Sequence, residues 1–161
     1  FAIVIMYLAT YYQMPKKAEV GIKQSTIYLI KQFEGLRHTA YDDGYGNMTI
    51  GVGHLIKPDE EKLYYTTLST KQAHKLLERD MEPCERTIDN KVASPLTQHQ
   101  FDALMSLCHN IGVDNLARSS VVYHLEQGNI KKAANAILNW NRPEELTKRR
   151  QEERKLFLSD I

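Results

Sequence analysis

No membrane-spanning run opens this 161-residue chain: its apolar stretch FAIVIMYLA, Phe1 to Ala9, is well short of the ~20 residues that a transmembrane helix needs. A complete anchor is excluded there. An excess of one charge is missing too, since Lys plus Arg number 21 and Asp plus Glu 20, for a net charge of +1. Nothing general therefore draws the chain to nucleic acid or to an anionic surface. There is no internal repeat and no low-complexity tract, which sets aside solenoids and collagen-like chains. His54, His74, His99, His109 and His124 show no tight ligand spacing, so no metal is expected, and nothing points to a cofactor. Cysteine is scarce. Cys84 and Cys108 fall on apolar helix faces, and two readings stay open: buried thiols, or a disulfide that requires Cα atoms within roughly 7 Å. Neither a Cys-His-Asn nor a Ser-His-Asp context supports a peptidase or an amidase.

What is present is ordinary folded-protein composition, 42% hydrophobic and 25% charged, enough for one domain or two small lobes on one chain. Residues 1–20 form an apolar N-terminal segment ahead of a domain at 21–161. The numbering begins at Phe, so the chain is expected to start inside a longer precursor. Two readings of its first residues are weighed evenly: the remnant of an export signal or signal-anchor, or a strand or helix packed on the domain.

Beyond residue 20 the pattern is helical with one interruption. Ile27, Ile30 and Phe33 make a stripe that ends at Gly35, a C-cap that leaves Glu34 at the helix end. From Leu36 to Leu55 the helical period disappears, and Gly44, Tyr45, Gly46 and Asn47 have the chemistry of a β-hairpin turn. Ser69 with Gln72 forms a capping box before a long helix through Pro83, where a kink is a candidate. Thr97 with Gln100 repeats the box before Phe101 to Ile111. Further helices are expected at Ser120–Gln127, Ile130–Trp140 and Glu144–Leu158. The fold class is α+β and mostly helical: a small lobe with a hairpin or sheet at about 21–68, a connecting helix at about 70–90 and an all-helical lobe at about 91–161.

The hairpin segment carries the chemistry. Glu34 sits where unpaired helix carbonyls disfavour a carboxylate, an effect that pushes its pKa upward and suits a general acid. Asp43 follows nine residues later at the edge of the turn, where it should stay ionised. Two carboxyls in unlike environments are what glycosidic cleavage needs: one protonates the leaving oxygen, the other stabilises the cation-like centre or activates water. Thr49, Gly51 and Gly53 should share one strand face, a hydroxyl among bare backbone that lets a sugar ring approach. Each residue taken singly also has a bland reading as a turn former, a strand residue or a helix-end polar group.

Glu34-Gly35-Leu36-Arg37, Tyr41, Asp43 and Thr49-Ile50-Gly51-Val52-Gly53-His54 resemble the phage-type lysozymes, the muramidases of bacteriophage endolysins, with the threonine fifteen residues after the glutamate. The likeness continues through Pro95-Leu96-Thr97, Gln100 to Leu104, Asn110-Ile111-Gly112, Trp140, Arg149, Arg150, Glu153, Leu156 and Phe157. It implies a two-lobed lysozyme-like fold and hydrolysis of the β-1,4 bond between N-acetylmuramic acid and N-acetylglucosamine in peptidoglycan, for host cell lysis. It further implies Glu34 as general acid, Asp43 as electrostatic partner or base, and Thr49 as the residue placing the water. His54 would support the hairpin region. Arg149 resembles the family arginine that pairs with the glutamate, which would lower the pKa that the helix end raises; the sequence leaves the winner open. Asn110 matches a cleft amide, whereas His109 departs from the aromatic residue common in relatives.

The run Arg142 to Lys155 mixes six basic with four acidic residues, the pattern of a solvated helix face, and nucleic acid is not an expected partner. Trp140 on an Ala- and Ile-rich helix reads as core before it reads as a sugar platform. The expected setting is a monomer acting in the periplasm or cell wall, with a transient inner-membrane tether through the N-terminal segment. A catalytically silent peptidoglycan-binding protein and a hydrolase of chitin-like polymers are the alternatives.

Overall fold

The computed structural model describes residues 20–160. Helix α1 (Gln24–Glu34) buries Thr26, Ile27 and Ile30 and ends at Gly35, whose φ of 76° is a left-handed conformation natural to glycine. The Gly35 N–H closes the last turn onto the Lys31 carbonyl at 2.8 Å. Glu34 is therefore the last helical residue. Strands β1 (Arg37–Asp42), β2 (Met48–Gly51) and β3 (His54–Leu55) then form an antiparallel sheet in that order. The register pairs Tyr41 with Thr49, Thr49 with Leu55 and Ile50 with His54.

The hairpin turn falls where expected, and the shared face does not. Strand β2 stops at Gly51, and a second tight turn through Val52 and Gly53 reverses the chain into β3. Gly51 faces inward, where an added Cβ would meet Ala73 at 3.6 Å and Leu68 at 3.7 Å. Gly53 faces Glu34 instead. The turn breaks the period of two that would have aligned Thr49, Gly51 and Gly53.

A 3-10 segment (Pro58–Tyr65) leads to α2 (Thr70–Lys91), a 22-residue helix whose cap Ser69 accepts from the Gln72 N–H at 3.2 Å. The helix runs without a break through Pro83, so the candidate kink does not interrupt it. The Pro83 carbonyl accepts from the Thr87 hydroxyl at 2.9 Å. Helix α3 (Gln98–Ile111) starts on its own box, with Thr97 accepting from the Gln100 N–H, and is buried from Gln100 through Cys108. Short helices α4 (Val113–Ala117), α5 (Ser120–Glu126) and α6 (Ile130–Ile137) follow, then α7 (Thr147–Phe157) after a 3-10 turn at Glu144–Leu146.

Two buried clusters result. The larger gathers Ile27 and Ile30 of α1, Leu77 and Met81 of α2, Phe101, Leu104 and Leu107 of α3, and Phe157 of α7. The smaller sits under the sheet, on Ile50, Ile56, Leu68 and Ala73. Helix α2 contributes to both, which ties the sheet to the helical body. Trp140 is partly buried against the larger cluster, in line with the core reading. Cys84 and Cys108 are joined across α2 and α3 with Cα atoms 5.9 Å apart, which settles the open question in favour of a disulfide. Among the described residues no helix is long and apolar enough to cross a membrane, and the segment Phe1 to Ala9 lies outside them.

Candidate active site

Glu34 is reached from three directions. From α7, the Arg149 Nη1 donates to Glu34 Oε1 at 2.6 Å. From α3, His109 Nδ1 stands 3.4 Å from the same oxygen. From the β2–β3 turn, Gly53 brings bare backbone beside the other oxygen, where a Cβ would lie 3.6 Å from Glu34 Oε2. Burial pushes the Glu34 carboxyl up, yet the close approach of His109 and the hydrogen bond and positive charge of Arg149 outweigh it and hold the pKa at about 2. The contest that the sequence left open goes to the lowering side, where His109 joins the arginine. The resting carboxylate is ionised, with one oxygen clamped and the other toward the turn.

Asp43 lies in the exposed turn between β1 and β2. Its Oδ1 accepts from the backbone N–H groups of Tyr45 at 2.8 Å and Asn47 at 3.1 Å, and its Oδ2 from the Asn47 amide at 3.0 Å. The Asn47 amide and the Tyr45 N–H favour the ionised form and lower its pKa. Two carboxyls thus occupy unlike settings. Thr49 is 7% exposed on β2, and its hydroxyl donates to the Tyr41 carbonyl at 3.3 Å, so its oxygen lone pairs remain available.

His54 is 4% exposed and bridges two acids: Nδ1 meets Asp80 Oδ2 of α2 at 2.6 Å, and Nε2 meets Glu60 Oε2 at 2.8 Å. Arg79 closes the group by donating to Glu60 Oε1 at 2.6 Å. Burial pushes the imidazole pKa down, but Asp80 and Glu60 more than offset it, and the net shift is upward. With a carboxylate on each nitrogen, the doubly protonated ring satisfies both. The histidine joins the sheet to α2 and to the 3-10 segment.

Asn110 is exposed at the end of α3, where its Oδ1 accepts from Arg150 Nη2 at 2.9 Å. That bond leaves the amide N–H groups free to face outward. The expectation of a solvated face on α7 holds for the exposed Lys148, Glu152 and Lys155 and fails for three residues on the opposite face. Arg149, Arg150 and Glu153 are 7%, 0% and 0% exposed, packed inward against α3. Spacings of three and four place Glu153 beside both arginines, a same-face pattern that was visible in the sequence. His109 as a neighbour of Glu34 is the second residue that sequence reasoning left without a role.

A recess of about 700 Å³ runs along α1 and α7 past Leu29, Phe33, Lys148, Arg149 and Leu156, and its lining does not include Glu34, Asp43 or Thr49. A smaller groove of about 280 Å³ joins Gly53, His54, Asp80 and His109. Chemistry rather than size identifies the site.

Residues 31–153 match the family model described as phage lysozyme. The endolysin of Salmonella phage P22 is 40% identical over 86% of this chain and 98% of its own length. The endolysin of Bacillus phage B103 is 38% identical over 87% of this chain, and the chain spans about half of that relative, 55%. Among solved structures, the muramidase domain of SpmX from Asticaccaulis excentricus superposes with a TM-score of 0.75 at 36% identity, covering 87% of this chain and 99% of that one.

Proposed function

The chain belongs to the phage lysozyme family, and on that premise we propose that it is an endolysin that cleaves the β-1,4 bond between N-acetylmuramic acid and N-acetylglucosamine in peptidoglycan, lysing the host cell. The observation that carries the reading is the 2.6 Å pair of Arg149 with Glu34, which brings an arginine from the far end of the chain onto the carboxyl beside the hairpin. Glu34 is the general acid that protonates the leaving oxygen. Its resting pKa of about 2 does not forbid this role, because burial already pushes the carboxyl up and a sugar chain laid over it adds to that effect. Asp43, ionised in its turn, stabilises the developing positive charge or serves as base. Thr49 holds the attacking water with its free lone pairs.

Asn110 offers amide N–H groups to sugar acceptors, and His54 keeps the turn that carries Gly53 in place. The enzyme works as a monomer on the host cell wall, after export that uses the apolar N-terminal segment as a temporary inner-membrane tether. Fusing that segment into a longer anchor should suppress lysis until release, and lysis by the tethered form would contradict the tether. Mass spectrometry of soluble products from purified peptidoglycan, with chitin oligosaccharides as the parallel substrate, tests the specificity. New reducing-end N-acetylmuramic acid supports the muramidase. Cleavage of the chitin oligosaccharides alone would favour the chitin-like hydrolase, and binding without any product the silent module.

A further inference from the structure

Helix α7 holds a second carboxylate that the proposed chemistry does not use. Glu153 is fully buried, and its Oε1 accepts from Ser106 Oγ at 2.7 Å and from Arg149 Nε at 3.1 Å. Its Oε2 lies 3.1 Å from Arg150 Nε, a contact held by charge, since neither atom makes an aligned hydrogen bond. Burial pushes the Glu153 carboxyl up and the Arg150 guanidinium down, each opposed by the charge of the other.

Arg149 is thereby fixed on three sides. Nε is on Glu153 and Nη1 on Glu34, while Nη2 donates to the Ser106 carbonyl at 3.0 Å. Its guanidinium also lies 4.7 Å from the centre of the Phe33 ring. A guanidinium is planar, so once Nε and Nη2 are placed, the direction of Nη1 is determined. The bond to Glu34 has no freedom of its own.

We propose that Glu153, with the Ser106 hydroxyl, is a positioning residue for the reaction: it aims Arg149 at Glu34 Oε1 and takes up part of the arginine's charge, so that Glu34 can regain a proton when substrate is bound. This rests on the reading of Glu34 as the general acid. The charged and titratable groups facing Glu34 are Arg149 and Arg150 from α7 and the His109 imidazole from α3; the β2–β3 turn contributes only Gly53. Glu153 faces the same two arginines on its own helix and Ser106 on α3. Two arginines meet two carboxylates, and removing Glu153 leaves the arginines in excess over Glu34.

The test pairs Glu153→Gln, which keeps shape and an acceptor but not charge, with Ser106→Ala, which removes only the hydroxyl. The pH profile of kcat on peptidoglycan should show its alkaline limb moved down by about 1 pH unit in Glu153→Gln. Activity at pH 7 should fall roughly three- to tenfold. Ser106→Ala should move the limb the same way by less. A purely structural Glu153 would lower the melting temperature of both variants and leave kcat and the limb where the parent has them, which overturns the proposal. Should Glu153→Gln fail to fold, Ser106→Ala decides alone, and an unmoved limb refutes it. Glu34→Gln, run alongside, separates the two levels: activity retained there refutes the acid assignment and the positioning role with it.

Discussion

Replacing His54 with Gln should destabilise the protein by an amount that shrinks as pH rises. The imidazole is almost fully buried between Asp80 at 2.6 Å and Glu60 at 2.8 Å, so the substitution leaves two acids facing each other with Arg79 as their remaining cation. Breaking a buried ion pair costs roughly 3–5 kcal/mol. The side chains of Asp80 and Glu60 keep 23% and 16% exposure, and that water contact reduces the expected loss to about 2–4 kcal/mol near pH 5.5. For a chain of this size that is a fall of roughly 5–12 °C in melting temperature.

The sign follows from linkage. The folded-state pKa of His54 is raised, so its contribution is complete below the unfolded value of about 6.5 and disappears as pH climbs through the folded value. Glu60 works in the opposite sense: held at about 2, it contributes above its ordinary value and loses that contribution as pH falls toward 2. The parent should therefore be most stable between the ordinary carboxylate range and the unfolded histidine value of about 6.5. Thermal unfolding of parent and variant at pH 5.5 and pH 9 measures the difference directly. A gap that is equal at both pH values, or wider at pH 9, would refute the account of a charged histidine bridge.

Other outcomes follow from the same geometry. Gly53→Ala must place a Cβ at a φ of 72° beside Glu34 Oε2 and His109; circular dichroism melts should show a loss of about 1 kcal/mol, and turnover should fall as well. Replacing Cys84 and Cys108 together with Ala opens a loop with a sequence separation of 24, and denaturant unfolding should show a loss on the order of 3 kcal/mol. An unchanged denaturation midpoint would mean that the bridge contributes nothing.

Local chemistry was legible where one residue type has one structural use. The capping boxes at Ser69 and Thr97 and the C-cap at Gly35 stand as expected, because each satisfies backbone groups within four residues. Pairings across the chain were not legible. Neither the distance from Cys84 to Cys108 nor that from His54 to Asp80 is encoded in spacing; the packing of α2 on α3 and on the sheet sets both. The positive φ of Gly51, 70°, hid its direction, since strand periodicity holds only for residues in extended backbone. On α7 the mixed charges looked solvated, although Arg149, Arg150 and Glu153 occupy one face and neutralise one another inside. A charged residue is buried only with partners, and partners from other elements leave no mark in the local sequence.

The central claim is that Glu34 supplies the proton for cleavage of a peptidoglycan glycosidic bond. Its most direct test is product analysis of purified peptidoglycan digested by the parent and by Glu34→Gln side by side, with binding to the polymer measured for both. The account predicts muropeptides ending in reducing N-acetylmuramic acid from the parent alone, with binding retained by the variant. Equal product release from both proteins would contradict it.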